Sequence, residues 1–199
     1  MFYQVLFSRN HEDISADEIT HIEDPDAAHL KELDYPEWFR SVMGTGKIEN
    51  WENVKFYYHS RRTKLNEEYL INSYRCPIVH KKVIDVLKQE GIQGIEALSL
   101  SLIDQDSQLV NENYALLNIL NFIEAYDMSK SKYMYIDKYQ FYSFLPEDIV
   151  LDQKVCESFD IFRCKQDKMR IYVSEKVKNI IEKNSWQGFL FQKYPTNDV

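Results

Sequence analysis

Two segments of this chain follow the same plan, and this internal repeat constrains the fold more than any other feature. The segments are Cys76–Ala97 and Arg170–Phe191, which align without a gap when Val79 is placed on Val173. In both, apolar residues recur at i, i+4, i+7 and i+8, the stripe of a helix with one buried face. Each segment is therefore predicted to form a short strand, an amphipathic helix of about three turns, a Gln-Gly turn and a second strand.

The two predicted helices differ in how they begin. Ser174 suits the N-cap of the second helix, because its hydroxyl can accept a hydrogen bond from a first-turn amide, and Glu175 suits the positive helix start. The first helix has His80 at the equivalent position, which is a weaker start. The residues expected to determine the fold of these units and their turns are Val173, Val177, Ile180, Gly188 and Gly94.

The rest of the chain is rich in segments that alternate as strands do. Predicted strands outside the repeat helices are Phe2–Phe7, Val54–His59, Leu98–Leu102, Ile149–Leu151, Phe159–Arg163 and Arg170–Val173. A short helix is predicted from Pro36 to Val42. Tyr114–Asp127 fits both the helical and the strand period, and we interpret it as a strand.

These elements predict an α+β fold with mixed or antiparallel sheets, built around the two repeated strand-helix-strand units. The aromatic segment Tyr133–Leu145 is predicted to be a half-buried hairpin. With 199 residues, the chain could form one domain, 1–199, or two similar halves, 1–108 and 109–199.

The cysteines and the N-terminus indicate a cytoplasmic location. Cys76, Cys156 and Cys164 are an odd number without CxxC spacing, which argues for reduced thiols. The N-terminus lacks the basic region and the small-residue cleavage site of a signal peptide. Because no apolar run approaches the ~20 residues of a membrane span, we expect a soluble cytoplasmic protein with no membrane partner.

The negative charge is concentrated in one stretch. Between His11 and Glu37 there are ten carboxylates against the single Lys31, a local net charge of −9 in a chain whose total is −8. We call this segment the acidic stretch. It disfavours nucleic acid, whose phosphates it would repel, and favours a basic protein partner through steering. A solvated face kept acidic for solubility is the alternative.

A search for catalytic and metal-binding motifs finds little. The sequence has no GxSxG, HExxH or GxGxxG motif, and no cofactor is predicted. The acidic loop with His21 and His29 fits no known closed metal site, so no metal is predicted. Cys76 with His80 is the one Cys-His pair at close spacing, and it leaves open an alternative: a small cytosolic enzyme acting on a nucleotide or a protein modification.

An ordered set of motifs resembles the polymorphic-toxin immunity proteins of immunity family eleven. The resemblance extends over roughly Gly46 to Tyr194, and His80 stands where the family usually has Ser. The matching positions are Asn118, Asp127, Lys130-Ser131, Ile161-Phe162-Arg163, Val173 to Lys176, and Gly188 to Phe191. Upstream, GKIENWENVKFYY and PIVHKKVIDVLKQEGIQGIEAL are also similar. The acidic stretch has no counterpart among these motifs.

The resemblance implies a protein without enzymatic activity that binds a cognate secreted or contact-delivered toxin in the cytoplasm and protects the producing cell. Its partner is expected to be the toxic domain of a neighbouring gene product, with no nucleic acid and no membrane. The acidic stretch would suit a nuclease toxin, whose active site is basic. The candidate toxin-binding residues are Glu12, Asp13, Asp17, Glu18, Glu23, Asp24 and Asp26. Loops around Arg61 or Asp167 are the alternative docking sites.

Overall fold

The computed structural model describes residues 1–7, 37–44, 46–61, 65, 67–70, 72, 74–137 and 141–197. Four α-helices lie within these residues: α1 (Glu37–Met43), α2 (Lys81–Gln89), α3 (Gln153–Cys156) and α4 (Glu175–Lys183). The strands are β1 (Phe2–Phe7), β2 (Val54–Tyr58), β3 (Tyr69–Leu70), β4 (Ile78–His80), β5 (Ile95–Asp104), β6 (Val110–Asn111), β7 (Tyr114–Ile119), β8 (Phe122–Ile123), β9 (Met134–Ile136), β10 (Phe141–Ser143), β11 (Ile161–Cys164), β12 (Ile171–Ser174) and β13 (Phe189–Tyr194).

The strands form two main sheets and a separate hairpin. The first sheet has the order β13-β1-β12-β11-β8, and the second has the order β2-β5-β7-β4-β3 with β6 beside β5. The pairs β8-β11 and β2-β5 are parallel, and the other pairs of named strands are antiparallel. The fold is therefore α+β with mixed sheets.

In both aligned segments the two strands of the unit are separated by an inserted antiparallel strand. In the first segment β7 lies between β4 and β5, and in the second β1 lies between β12 and β13. The outer strands of each unit consequently run parallel, joined by α2 or α4. The inserted strand follows its unit in the first case and comes from the N-terminus in the second.

Both unit helices begin on a side-chain cap. The Ser174 hydroxyl accepts a hydrogen bond from the Val177 amide at 3.4 Å at the start of α4. At the start of α2, Nδ1 of His80 accepts one from the Lys82 amide at 3.2 Å. His80 thus satisfies one of the free first-turn amides, in the place where a hydroxyl stands in the second unit.

A central core lies where the unit helices meet the inner faces of both sheets. It includes Val83, Ile84 and Leu87 of α2, Val177, Ile180 and Ile181 of α4, Ala115, Leu117 and Ile119 of β7, and Ile171 and Val173 of β12. Two further clusters cover the outer sheet faces, one beneath α1 and one around Tyr172. Successive residues of β12 therefore point into different clusters, as the pleat requires.

Gly94 and Gly188 occupy equivalent turns with positive φ, +75° and +89°. A Cβ at Gly188 would collide with the carbonyl oxygen of Tyr69. The amide of Tyr69 donates to the Gln187 carbonyl at 3.2 Å, so this turn joins the edge of one sheet to the other. Glycine is required here both for backbone conformation and for the close approach.

Two segments differ from the sequence-based expectation. Tyr114–Asp127 contains two strands, β7 and β8, rather than one, because the chain crosses between the sheets at residues 120–121. All six residues of β7 are buried, and a strand covered on both faces shows no clear alternation. The strand predicted at Ile149–Leu151 is a single residue, Leu151, which bridges to Tyr126 and Thr196.

Candidate functional site

Arg163 of β11 is a buried arginine that holds the end of α1. Its side chain is 5% exposed and donates hydrogen bonds from Nη1 to the Val42 carbonyl and from Nη2 to the Gly44 carbonyl, both at 2.7 Å. Burial lowers the pKa of Arg163. The cation faces the carbonyl end of a helix, where the backbone dipoles favour positive charge. Its Nε has no hydrogen-bond partner among the described residues.

Asn118 of β7 holds the next residues of the same loop. Its Nδ2 donates to the Gly46 carbonyl at 3.2 Å and to Glu96 Oε2 at 3.3 Å. Its buried Oδ1 faces no donor within the described part of the chain. Asn118 and Arg163 line the same cavity of about 20 Å³, a volume that admits one water molecule. We call these two side chains the α1 clamp, because one side chain from each sheet donates hydrogen bonds to backbone carbonyls at the end of α1 or just after it.

Asp127 and Ser131 fix the turn that leads into the β9-β10 hairpin. The Asp127 carboxylate accepts hydrogen bonds from the amide and hydroxyl of Ser129 at 2.9 and 2.6 Å and from the Asn197 side chain at 2.8 Å. The Ser129 and Asn197 side chains lower the pKa of Asp127. The Ser131 hydroxyl donates to the Val150 carbonyl and accepts from its amide. The base of the hairpin is therefore tied to the body of the protein.

A row of aromatic rings runs through this hairpin from the core to the surface. Tyr126, 4% exposed, contacts Phe144 with ring centroids 4.8 Å apart. Phe144 is followed by Tyr142 at 6.2 Å, and Tyr142 contacts Tyr133 and Tyr135 at 5.1 and 5.0 Å. Edge-to-face and tilted rings at these separations attract one another. The outer tyrosines are consequently held in place by a buried anchor.

The hairpin concentrates exposed apolar side chains. Eleven large hydrophobic residues are exposed in the described part of the chain, and five of them lie here. They are Tyr133 (45% exposed), Met134 (66%), Tyr135 (45%), Tyr142 (38%) and Leu145 (59%). Tyr133 and Tyr135 both contact Tyr142 on one face of the hairpin, whereas Met134 lies between them in sequence and on the opposite face. Aromatic residues are enriched at protein interfaces, and exposed apolar patches mark interaction surfaces. We call Tyr133, Tyr135 and Tyr142 the aromatic patch.

An open cleft of about 860 Å³ lies beside the aromatic patch, and we call it the hairpin cleft. Tyr142 and Phe144 form one side, and the loop from Lys165 to Met169 forms the other. Two charged side chains of this loop are paired within the chain: Lys165 with Glu124 at 3.4 Å and Asp167 with Arg170 at 2.6 Å. The loop around Asp167, one of the predicted alternative docking sites, therefore belongs to the cleft.

Two aspartates hold the described start of the loop around Arg61, the other alternative docking site. Asp104, 3% exposed, accepts hydrogen bonds from the Ser60 and Asp106 amides at 3.0 Å each and from the Ser107 hydroxyl. Burial alone would raise the pKa of Asp104, but the hydrogen bonds from Ser107 and Ser60 outweigh it and hold the pKa well below its usual range. Asp106 accepts from the Arg61 amide at 2.9 Å.

Cys76 and His80, the residues of the enzyme alternative, both have structural roles. Cys76 is 2% exposed, its thiol donates to Asn72 Oδ1 at 3.3 Å, and burial raises the pKa of Cys76 to about 12. A thiol with such a pKa stays protonated at neutral pH, whereas a nucleophile must be a thiolate. His80 uses Nδ1 to cap α2 and packs its ring on Tyr114 at 5.2 Å. Burial lowers the pKa of His80.

The described residues contain no group of three or more His, Cys, Asp or Glu side chains placed to hold a metal ion. Within the same residues, no helix has the length and apolar character needed to cross a membrane. The candidate toxin-binding acids all lie outside the described residues: Glu12, Asp13, Asp17, Glu18, Glu23, Asp24 and Asp26.

Comparison with known proteins assigns the chain to a family. The sequence profile described as "Immunity protein family (Imm11)" matches residues 7–196. The chain belongs to this immunity protein family. A search of curated proteins gave no match. The Imm11 match begins at residue 7 rather than near Gly46, so its range includes the acidic stretch that the motifs left out.

Two structural features of this Imm11 protein were not predicted from the sequence. The first is the α1 clamp, although Asn118 and Arg163 are both residues that carry the family resemblance. The second is the aromatic patch, whose segment was predicted only as a half-buried hairpin. The sequence feature that could have indicated the patch was the high density of aromatic residues in Tyr133–Leu145. No charge pattern in this segment suggested a partner.

Proposed function

We propose that this chain binds and neutralises a cognate secreted or contact-delivered antibacterial toxin, acting in the cytoplasm by covering the toxic domain. The observation that carries the proposal is the match to an immunity protein family over residues 7–196. The raised pKa of the buried Cys76 thiol supports inhibition by binding rather than a thiol-dependent reaction. The protein needs no cofactor and no activity of its own for this role.

The acidic stretch is proposed to steer the immunity protein to the toxin. Its net charge of −9 would accelerate encounter with a basic surface such as the active site of a nuclease. The residues proposed to make this contact are Glu12, Asp13, Asp17, Glu18, Glu23, Asp24 and Asp26.

Co-expression with the toxic C-terminal domain encoded beside this gene tests the function. Growth should be restored by the immunity protein, and calorimetry of the purified pair should show a tight complex of fixed stoichiometry. A matched strain that expresses an immunity protein of a different family serves as the control. If an active toxin domain kills the cell regardless and no heat of binding is measured, the proposed function is wrong.

A further inference from the structure

Two cavities, each of about 20 Å³, differ in the chemistry of their linings. One lies between the unit helices and the sheets, and its lining is entirely apolar, with Val83 of α2 and Val177 of α4 among its residues. The other is lined by α1, by β7 of one sheet and by β11 of the other, and its lining includes Asn118 and Arg163. We call it the clamp cavity. Each volume can hold one water molecule, but a buried water needs polar groups to bind it, so only the clamp cavity is suited to one.

Two buried polar atoms in the side chains that line the clamp cavity have no hydrogen-bond partner among the described residues. They are Nε of Arg163 and Oδ1 of Asn118. Arg163 is 5% exposed and Asn118 is 1% exposed, so bulk solvent does not satisfy either atom. An unpaired buried donor or acceptor is costly, and nearly all such groups in folded proteins find a protein or water partner. These two atoms therefore indicate a bound molecule between them.

The other hydrogen bonds of the two side chains fix which atoms remain free. Nδ2 of Asn118 donates to the Gly46 carbonyl at 3.2 Å and to Glu96 Oε2 at 3.3 Å. Exchanging the amide nitrogen and oxygen would place Oδ1 against two acceptors, so the assigned orientation is the one that the network supports. Nη1 and Nη2 of Arg163 each donate to a backbone carbonyl at 2.7 Å. One donor, at Nε, and one acceptor, at Oδ1, are left.

This pair of atoms selects a small molecule that both accepts and donates hydrogen bonds. A metal cation would be repelled by the guanidinium of Arg163, and a halide ion could accept from Nε but could not donate to Oδ1 of Asn118. The volume excludes larger anions such as phosphate. We propose that the clamp cavity binds one water molecule, which accepts a hydrogen bond from Arg163 Nε and donates one to Asn118 Oδ1. The water links the two sheets beside the direct contacts of the α1 clamp, whether or not a toxin is bound.

A high-resolution crystal structure of the unaltered protein, from crystals soaked with and without bromide, tests the proposal. It should show a single density peak in the clamp cavity, within about 3.2 Å of both Arg163 Nε and Asn118 Oδ1, and no anomalous signal from bromide at that position. An anomalous peak would identify an anion site and overturn the proposal. Ordered side chains of Arg163 and Asn118 with no density between them would also overturn it.

A measurement in solution uses a matched pair of variants. Val42→Ile adds one methyl group to the lining of the clamp cavity, and Val79→Ile adds the same group to the lining of the apolar cavity. Both valines are buried, at 3% and 1% exposure. Magnetic relaxation dispersion of water oxygen counts the long-lived internal waters. Val42→Ile should lose one such water relative to the parent, and Val79→Ile should lose none. Equal counts in the parent and folded Val42→Ile, or a loss in Val79→Ile alone, would contradict the proposal. If Val42→Ile does not fold, the crystal structure of the unaltered protein decides.

Discussion

Arg163 donates a 2.7 Å hydrogen bond to the carbonyl oxygen of Val42, which lies 121 residues earlier in the chain. This contact ties the first sheet to the end of α1, and Asn118 ties the second sheet to Gly46 just beyond it. The acidic stretch leads directly into α1 in sequence. The clamp therefore fixes the C-terminal end of α1, the helix that follows the acidic stretch in sequence.

Replacing Arg163 should destabilise the protein substantially. Arg163→Met removes two short charge-assisted hydrogen bonds and leaves the Val42 and Gly44 carbonyls without them, at a cost of about 2–4 kcal/mol in the free energy of unfolding. Arg163→Lys should recover only part of this stability, because an ammonium group cannot donate to both carbonyls with the planar fork of a guanidinium. The control is Lys165→Met, whose exposed ion pair should contribute less than about 1 kcal/mol. Equal urea midpoints for Arg163→Met and the control would show that the clamp is not stabilising.

The turn at Gly188 should tolerate no side chain. Gly188→Ala adds a Cβ that meets the Tyr69 carbonyl in addition to the strain of φ +89°. Gly91→Ala is the matched control, since Gly91 has φ +80° and open space around the added Cβ. The control should lose about 1 kcal/mol of unfolding free energy from backbone strain alone. Gly188→Ala should lose at least about 1 kcal/mol more than the control. Thermal denaturation measures both, and similar losses would mean that the close approach relaxes without cost.

Local features of the sequence predicted much of the secondary structure. The alternation in Phe2–Phe7 corresponds to β1, and the helical stripes following His80 and Ser174 correspond to α2 and α4. Helices and strands form from residues that are close together in sequence, so the spacing of apolar side chains indicates them directly.

The arrangement of the strands was not predictable in the same way. β1 lies between β12 and β13, a pairing that joins Phe2 to Tyr194 across nearly the whole chain. No periodicity encodes which strand becomes the neighbour of another. The α1 clamp could not be predicted for the same reason. Arg163 contacts a backbone carbonyl at a helix end that is remote in sequence, and no acidic residue there indicates the contact.

Acid should destabilise the protein partly through Asp104. The pKa of Asp104 lies below its ordinary value of 3.8 in the folded protein, so the ionised form adds stability above that pH, and the contribution is lost as pH falls towards the folded pKa. Asp104→Asn should lower the melting temperature at pH 7. The difference in melting temperature between this variant and the parent should become smaller below about pH 4. Exposed Asp85, changed to Asn, controls for the loss of one charge. A difference in melting temperature that stays constant from pH 7 to pH 3 would contradict a stabilising role of the ionised Asp104.

The residues of the enzyme alternative should be dispensable for protection. Cys76→Ala and His80→Ser each replace a group with a structural role, and serine can still cap α2. Both variants should therefore fold and protect cells that express the toxin domain, with Kd within about threefold of the parent value. Loss of protection by folded Cys76→Ala, with toxin binding unchanged, would indicate chemistry at the thiol.

Charge reversal in the acidic stretch should slow association more than it speeds dissociation. Lysine is introduced together at Asp13, Asp17, Glu18 and Asp24, and the control reverses four exposed acids elsewhere: Asp85, Glu90, Glu112 and Glu157. Both variants have the same net charge, so a difference between them reports position rather than total charge.

Stopped-flow mixing with the inactivated toxin domain at low salt should show association slowed by about tenfold or more for the first variant and by less for the control. Added salt should reduce the difference, because it screens the steering field beyond about 10 Å. If the two variants associate at the same rate at every salt concentration, the acidic stretch does not face the toxin, and the negative charge serves solubility instead.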